Sequence, residues 1–405
     1  MAETAATSTR TSSRTTNLVL ATWTFAITFW AWNLIGPLGT RYAEDLGLTS
    51  TQKSLLVAIP VLVGAVGRIP VGALTDRYGG RLMLGTLSLA SIVPVLLVTW
   101  AGNQGSYPLL LVFGFLLGIA GTTFAAGIPF VNAWFEPTRR GFATGVFGVG
   151  MGGTALSSFF TPRFVERWGY TTAHLVVAAA LAVTGVVVLL VMRDAAAWRR
   201  STESVLPKLA AALRLPVTWQ MSFLYAVTFG GFVAFSTYLP TYLKDVYGFD
   251  LAGAGTRTAG FAIAAVVARP IGGILSDRWH PKPIVLTSLG AVAALAVLVA
   301  AKPAPEIPAG TEFVLMAFFL GLGTGGVFAW VALRTPAERV GAVAGVVGAA
   351  GGLGGFFPPL VMGATYDEAT HSYTIGLLLL CATALAAFFY VLFRLRKETP
   401  AAAAT

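Results

Sequence analysis

The chain has 405 residues, 56% of them hydrophobic and only 11% charged, with a net charge of +10. Together with a mean hydropathy of +0.76, that balance excludes an ordinary soluble domain and places the chain in a bilayer. A single cysteine, Cys381, excludes a disulfide framework, and the basic excess follows the loops between apolar stretches rather than a nucleic-acid-binding face.

Residues 1–16 are rich in Ser and Thr, carry Arg10 and Arg14 and have no apolar pattern, so a disordered cytoplasmic tail is expected there. From Leu18 the sequence runs too long and too aromatic for a secretory signal, with Trp23, Phe25, Phe29, Trp30 and Trp32, and it reads as a first helix that stays in the chain. Each crossing of the hydrocarbon needs about 20 helical residues. Six apolar stretches fit at 17–39, 52–74, 83–102, 108–134, 142–163 and 173–193. The longest polar interruption, Arg193 to Val217, holds Arg199, Arg200, Glu203, Pro207, Lys208 and Arg214 and marks a cytoplasmic linker over 194–217. Six more spans follow at 218–243, 255–276, 283–301, 311–333, 341–364 and 373–394, and 395–405 forms a second tail. The expected domains are thus a half over 17–193 and a half over 218–394.

With both termini inside the cell, the outer loops hold Arg41, Lys53, Arg163, Arg167, Lys244, Arg257 and Lys302, while Arg68 and Arg269 lie deep in spans. The rest of the 27 Lys and Arg fall on the cytoplasmic side. This positive-inside bias predicts a multi-pass protein of the cytoplasmic membrane with the lipid bilayer as its solvent.

The two halves share a repeated motif. Arg68, Gly72, Leu74, Asp76 and Arg77 return as Arg269, Gly273, Leu275, Asp277 and Arg278 at an offset of 201 residues. Gly141, Gly145, Gly148 and Gly152 return as Gly341, Gly345, Gly348 and Gly352 at an offset of 200, and Gly121 with Phe124 returns as Gly325 with Phe328. Parallel six-helix halves of this kind form a large class of transporters that hold substrate at the interface of the halves near mid-membrane. The expected fold is an all-α membrane protein of twelve transmembrane helices in two pseudo-symmetric six-helix halves. Glycines at three- and four-residue spacing let helix backbones approach closely, and some of them are expected to line the pathway.

Arginine at the centre of a membrane helix costs about 2.5 to 3.5 kcal/mol on insertion scales, so it persists where it faces a pathway or a partner. No acidic residue falls in the interior of a span, and the missing counter-charge is therefore read as the cargo, a small anion. Asp76, Arg77 and Arg81 in the pattern G-x-L-x-D-R-x-G-G-R (Gly72 to Arg81), and Asp277 with Arg278 in a looser second copy, close the cytoplasmic ends of the second and eighth spans. Such residues can pair with neighbouring helix termini and hold one conformation shut, which makes them expected gating residues. At this loop the sequence resembles the major facilitator superfamily.

A closer resemblance lies in the runs Ala120 to Gly153 and Gly321 to Pro359, which are similar to the paired glycine signatures of the nitrate/nitrite porter family within that superfamily. The resemblance implies a secondary active transporter that moves nitrate and nitrite by alternating access, either by nitrate/nitrite exchange or by nitrate-proton symport, which adds protons as a candidate partner. The compact length resembles that of the symporting members. It also implies that Arg68 and Arg269 clamp the planar anion, that Phe124 and Phe328 sandwich it, and that Tyr225 and a first-span aromatic among Phe29, Trp30 and Trp32 contribute. Some family exchangers carry an asparagine at the position of Gly153; here a water, a backbone group, Asn132 or Asn33 would supply that hydrogen bond, or the substrate preference differs.

Physical chemistry agrees with that assignment. Nitrate and nitrite are flat, weakly hydrated oxyanions, and a guanidinium is a flat, weakly hydrated fork of donors. Two other classes are weighed beside it. One is a carrier of the same type for another small anion such as a carboxylate. The other is a membrane-embedded enzyme or sensor, but His174, His280 and His371 lie at span ends or loops without metal-ligand spacing, so no enzymatic activity, metal or cofactor is expected. The chain is expected to function as a monomer. Reorienting an empty site would leave two buried cations unpaired, which favours exchange, whereas symport needs a proton carrier that the spans do not display.

Overall fold

A computed structural model describes residues 2–136, 139–196, 198, 205–335 and 339–395, with the side chains of 2–13, Gly141, Val205 and Leu206 outside that description. The described residues form helices joined by short turns. In the first half, α1 (Ala2–Trp32) and α2 (Gly39–Leu46) are linked through a 3-10 turn at Gly36–Leu38, and α3 (Ser50–Val66) leads directly into α4 (Arg68–Tyr78). Then come α5 (Gly80–Ala90), α6 (Ile92–Asn103), α7 (Tyr107–Leu117), α8 (Thr123–Trp134), α9 (Arg140–Gly148), α10 (Gly153–Trp168) and α11 (Tyr170–Val191). The linker contributes α12 (Val205–Leu213). The second half comprises α13 (Pro216–Tyr247), α14 (Leu251–Trp279), α15 (Pro281–Ala300), α16 (Ile307–Arg334), α17 (Val340–Ala364) and α18 (Thr374–Arg394).

By length and apolarity ten segments can cross a membrane, and α3 with α4, bent by 40°, makes an eleventh. The expected fifth span, 142–163, folds as α9, a 3-10 turn at Val149–Gly152 and α10. Neither piece is long enough to cross alone, since α9 has 9 residues and α10 has 16. It packs against α1 and α14 and completes the expected set.

Two boundaries differ from expectation. The first helix begins at Ala2, through residues expected to be a disordered tail; no Gly or Pro interrupts the sequence from Ala2 to Trp32, so nothing local stops the helix. The seventh span runs to Tyr247 rather than 243 and brings Asp245 into the helix.

Helices that are continuous in the second half are broken in the first. α14 matches α3 with α4, α16 matches α7 and α8 around a 3-10 turn at Gly118–Thr122, and α17 matches α9 and α10. At the first of these breaks Pro70 has no N–H to give the carbonyl of Val66, four residues back, where α3 ends; Pro270 leaves α14 continuous, so the proline permits the break without dictating it. Across the halves, α17 lies against α3, and within the second half α13 packs on α17 and α14 on α16. Glycine permits these approaches. A side chain at Gly352 would put its Cβ 2.6 Å from that of Ala65, and one at Gly325 would meet the Arg269 carbonyl at 2.1 Å.

The turn after the repeated Asp-Arg motif needs a left-handed backbone in both halves. Gly79 supplies it with φ 89°, whereas the second half uses His280 at φ 102°. The His280 ring compensates locally, because its Nδ1 accepts from the Lys282 N–H at 3.1 Å and caps α15.

Candidate functional site

Arg68 is the first residue of α4, immediately after the break, and Arg269 lies within continuous α14. Both reach the same place between the halves. The Arg68 guanidinium carbon lies 5.0 Å from the ring centre of Phe124 and 5.4 Å from that of Phe229. That of Arg269 lies 5.7 Å from Phe124, 5.9 Å from Phe229 and 5.7 Å from Phe328. Two cations thus share two aromatic rings, each positioned by the attraction of a ring quadrupole.

Each arginine also reaches into the opposite half. Arg68 is 4% exposed and donates from Nη1 to the Gly348 carbonyl of α17 at 2.7 Å, while its Nε has no partner. Arg269 donates to the Met151 sulfur of the first half and, at 3.4 Å, to the Tyr225 hydroxyl. A Cβ added at Gly148 would lie 3.9 Å from the Arg269 guanidinium, and one at Gly348 would lie 4.0 Å from Arg68 Nη1. Repeat-related glycines therefore flank the repeat-related arginines, each from the other half. Among the described residues, neither arginine is ion-paired to a carboxylate.

Aromatic packing fixes the walls. Tyr225 and Phe229, one helical turn apart on α13, stack at 4.9 Å with an interplanar angle of 4°, and Phe328 meets Tyr225 edge-on at 4.7 Å. Tyr225 can lie there because Gly351 leaves room: a Cβ at that position would come within 2.1 Å of its ring. From this site a cavity of about 510 Å³ runs toward the linker side, walled by Ile128, Asn132, Lys208, Arg339 and Gly345 among others.

The opposite side is closed. Lys53 pairs with Asp245 at 2.6 Å, Lys244 pairs with Glu44, Ser54 bonds Tyr238 at 2.8 Å and Arg163 donates to Thr256 at 2.6 Å. All four contacts join the first half to the second. Among the described residues the site is open toward the linker and sealed from the far face.

The sequence-expected residues divide accordingly. Arg68, Arg269, Phe124, Phe328 and Tyr225 converge. Asn132 lines the cavity but spends its side-chain oxygen on the Thr144 hydroxyl, 3.0 Å away. Gly153 does not face the arginines; it packs on α1, where a Cβ would stand 2.0 Å from the Ala26 carbonyl, so an asparagine could not be housed there. Asn33 is buried near the sealed side, with no partner for either amide atom and its oxygen directed at Gly36. Of the first-span aromatics, Trp32 donates to the Pro60 carbonyl and Trp30 to Thr161, and Phe29 packs on Phe25 and Trp32. It is Phe25 that reaches Phe124, at 5.7 Å.

Among the expected gating residues, Arg81 bonds within its own half, through its backbone N–H to Asp194 and its guanidinium to the Leu189 carbonyl. Asp76 lines the cavity near Lys208 of α12. Among the described residues, Arg77, Arg81, Asp277 and Arg278 make no bond to the opposite half, as a parted linker side requires.

Sequence reasoning missed Phe25, Phe229, Met151 and the Lys53–Asp245 pair. Phe229 was within reach, since it follows Tyr225 by four residues and so shares its helix face. Lys53 and Asp245 look like loop residues in sequence because each lies at the edge of an apolar stretch.

Comparison with known proteins gives a consistent result. The Major Facilitator Superfamily model matches residues 21–359 and 252–405. A probable nitrate/nitrite transporter, NarK2, of Mycobacterium tuberculosis is 62% identical over 94% of this chain and 96% of that protein. A probable nitrate/nitrite antiporter, NarK1, of Thermus thermophilus is 36% identical over 85% of this chain and 83% of its own, and a nitrite extrusion protein of Bacillus subtilis is 33% identical over 91% and 92%. Among solved structures, a bacterial homologue of the human lysosomal transporter Spinster, inward-facing and unoccupied, matches with a TM-score of 0.68 at 18% identity over 94% of this chain and 97% of that one.

Proposed function

We propose that this chain, which belongs to the nitrate/nitrite porter family of the major facilitator superfamily, carries nitrate and nitrite across the cytoplasmic membrane by alternating access. One observation carries the assignment: two guanidiniums, one from each half, converge over the same Phe124 and Phe229 rings, and among the described residues neither is ion-paired to a carboxylate. A flat monovalent oxyanion supplies the missing charge, accepts paired hydrogen bonds from planar forks and fits between aromatic faces. Asn132 is a further contact on the way to the linker side.

The linker side is cytoplasmic in this reading, which the positive-inside bias supports, so the structure is an inward-open state. The protein acts as a monomer, since both arginines come from one chain. Exchange of nitrate for nitrite is the favoured mode: among the described residues Arg269 bonds the neutral Tyr225 and Met151 and Arg68 bonds one carbonyl, so reorienting without an anion would bury two uncompensated cations.

Proteoliposomes preloaded with nitrite test the assignment. External nitrate should enter in exchange, and Arg68→Lys or Arg269→Lys, which keeps the charge but loses the fork, should lower the rate at least tenfold with the protein still inserted. Near-normal uptake by both variants overturns the clamp, and preferential uptake of a small carboxylate overturns the substrate class.

A further inference from the structure

The far-side seal contains a charged pair that membrane proteins seldom bury without cause. Lys53 of α3 and Asp245 of α13 meet at 2.6 Å with their side chains only 8% and 14% exposed. The Tyr373 hydroxyl donates to the same Asp245 oxygen, Tyr373 and Tyr238 hydroxyls lie 3.3 Å apart, and Tyr238 bonds Ser54, the neighbour of Lys53. Five side chains close a ring across the two halves: Lys53 and Ser54 from the first, Asp245, Tyr238 and Tyr373 from the second. The Lys53 ammonium also lies 6.0 Å from the Tyr366 ring.

This ring can exist only while the far face is shut. When the halves part there, α3 leaves α13, and both charges pass to water, which solvates each of them alone. Removing one charge therefore acts unequally on the two states: it leaves the other buried and unpaired in the inward-open state, a costly condition, but leaves it hydrated in the outward-open state. The neighbouring Lys244–Glu44 pair is far more exposed, 31% and 62%, and exposed pairs contribute little.

We propose that Lys53 and Asp245 are positioning residues of the transport cycle, a charge latch whose closure sets the balance between the inward-open and outward-open states. The inference rests on the alternating-access reading given above. It assigns Lys53 and Asp245 no contact with the anion, which binds at the arginines.

The test uses the full chain in liposomes with Cys381→Ala as background and no anion present. Thr237→Cys reports the far face, because Thr237 is 3% exposed and meets Gly36 across the seam; Gly345→Cys reports the cavity, where an added Cβ meets open space. Lys53→Ala and Asp245→Asn should each raise the rate at which an impermeant maleimide labels Thr237→Cys at least tenfold and slow labelling of Gly345→Cys. The charge-swapped pair Lys53→Asp with Asp245→Lys should return both rates toward the parent. Unchanged labelling in the single variants, or a swap that stays as open as they are, overturns the latch. If a single variant does not accumulate, the swap and Asp245→Glu decide: parent-like labelling in both supports the latch, and an open far face in either refutes it. Arg68→Lys serves as the control, since it should lower anion transport at least tenfold while leaving latch-dependent labelling in place. Failure of the nitrate assignment and failure of the latch are thereby separated.

Discussion

Gly351 and Gly345 belong to the same glycine-rich helix, yet their surroundings differ completely. Alanine at 351 would drive a methyl into the Tyr225 ring, whereas at 345 it meets nothing within 4 Å. Overpacking of this kind costs about 1 to 3 kcal/mol. Gly351→Ala should therefore weaken nitrate affinity about tenfold in a binding titration, by tilting Tyr225 off Phe229 and away from Arg269, while Gly345→Ala should stay within about twofold of the parent. Phe229 makes a second expectation. It stands under both guanidiniums, and each cation–π contact that is shielded from water contributes up to about 2 kcal/mol. Phe229→Leu, which keeps the burial but loses the ring face, should reduce nitrate exchange at least tenfold and leave insertion unchanged.

At the scale of helices, the turn at His280 separates two causes of stability. Its φ of 102° is strained for any residue with a Cβ, by about 1 to 3 kcal/mol, and its ring offsets part of that by capping α15. His280→Gly removes both strain and cap and should leave thermal stability equal or higher. His280→Ala keeps the strain, loses the cap, and should lower stability by about 1 kcal/mol. A thermal-shift series in detergent in which Ala outperforms Gly would refute this account. The helices show how far sequence could go. Spans, repeat and both arginines were legible because hydrophobic length and motif spacing are local properties of a chain. The bend at Arg68 was not, since Pro70 and Pro270 occur in matching motifs and only α4 starts at a break. Nor was the role of Phe25: its packing on Phe124 depends on how α1 rotates against α8, and the aromatic run from Trp23 to Trp32 offers several equivalent faces.

For the whole molecule, reporters fused after Thr405 and within the Arg193 to Val217 segment should both be cytoplasmic, and an extracellular signal from either would refute the topology. Liposomes empty of nitrate and nitrite should take up little nitrate under an inward proton gradient; substantial uptake with alkalinisation outside would overturn obligatory exchange. The crossing of partners between the halves has a further consequence. Arg68 lies beside Gly348 and Arg269 beside Gly148, so each copy of the repeat supplies an arginine and the glycine that receives the other copy's arginine. Two identical six-helix units facing one another would satisfy both relations at once. The second half meets that arrangement with continuous helices, whereas the first is interrupted at Gly67, Gly118–Thr122 and Val149–Gly152. The repeat thus yields two walls of unequal build around the paired arginines, one of unbroken helices and one of jointed ones.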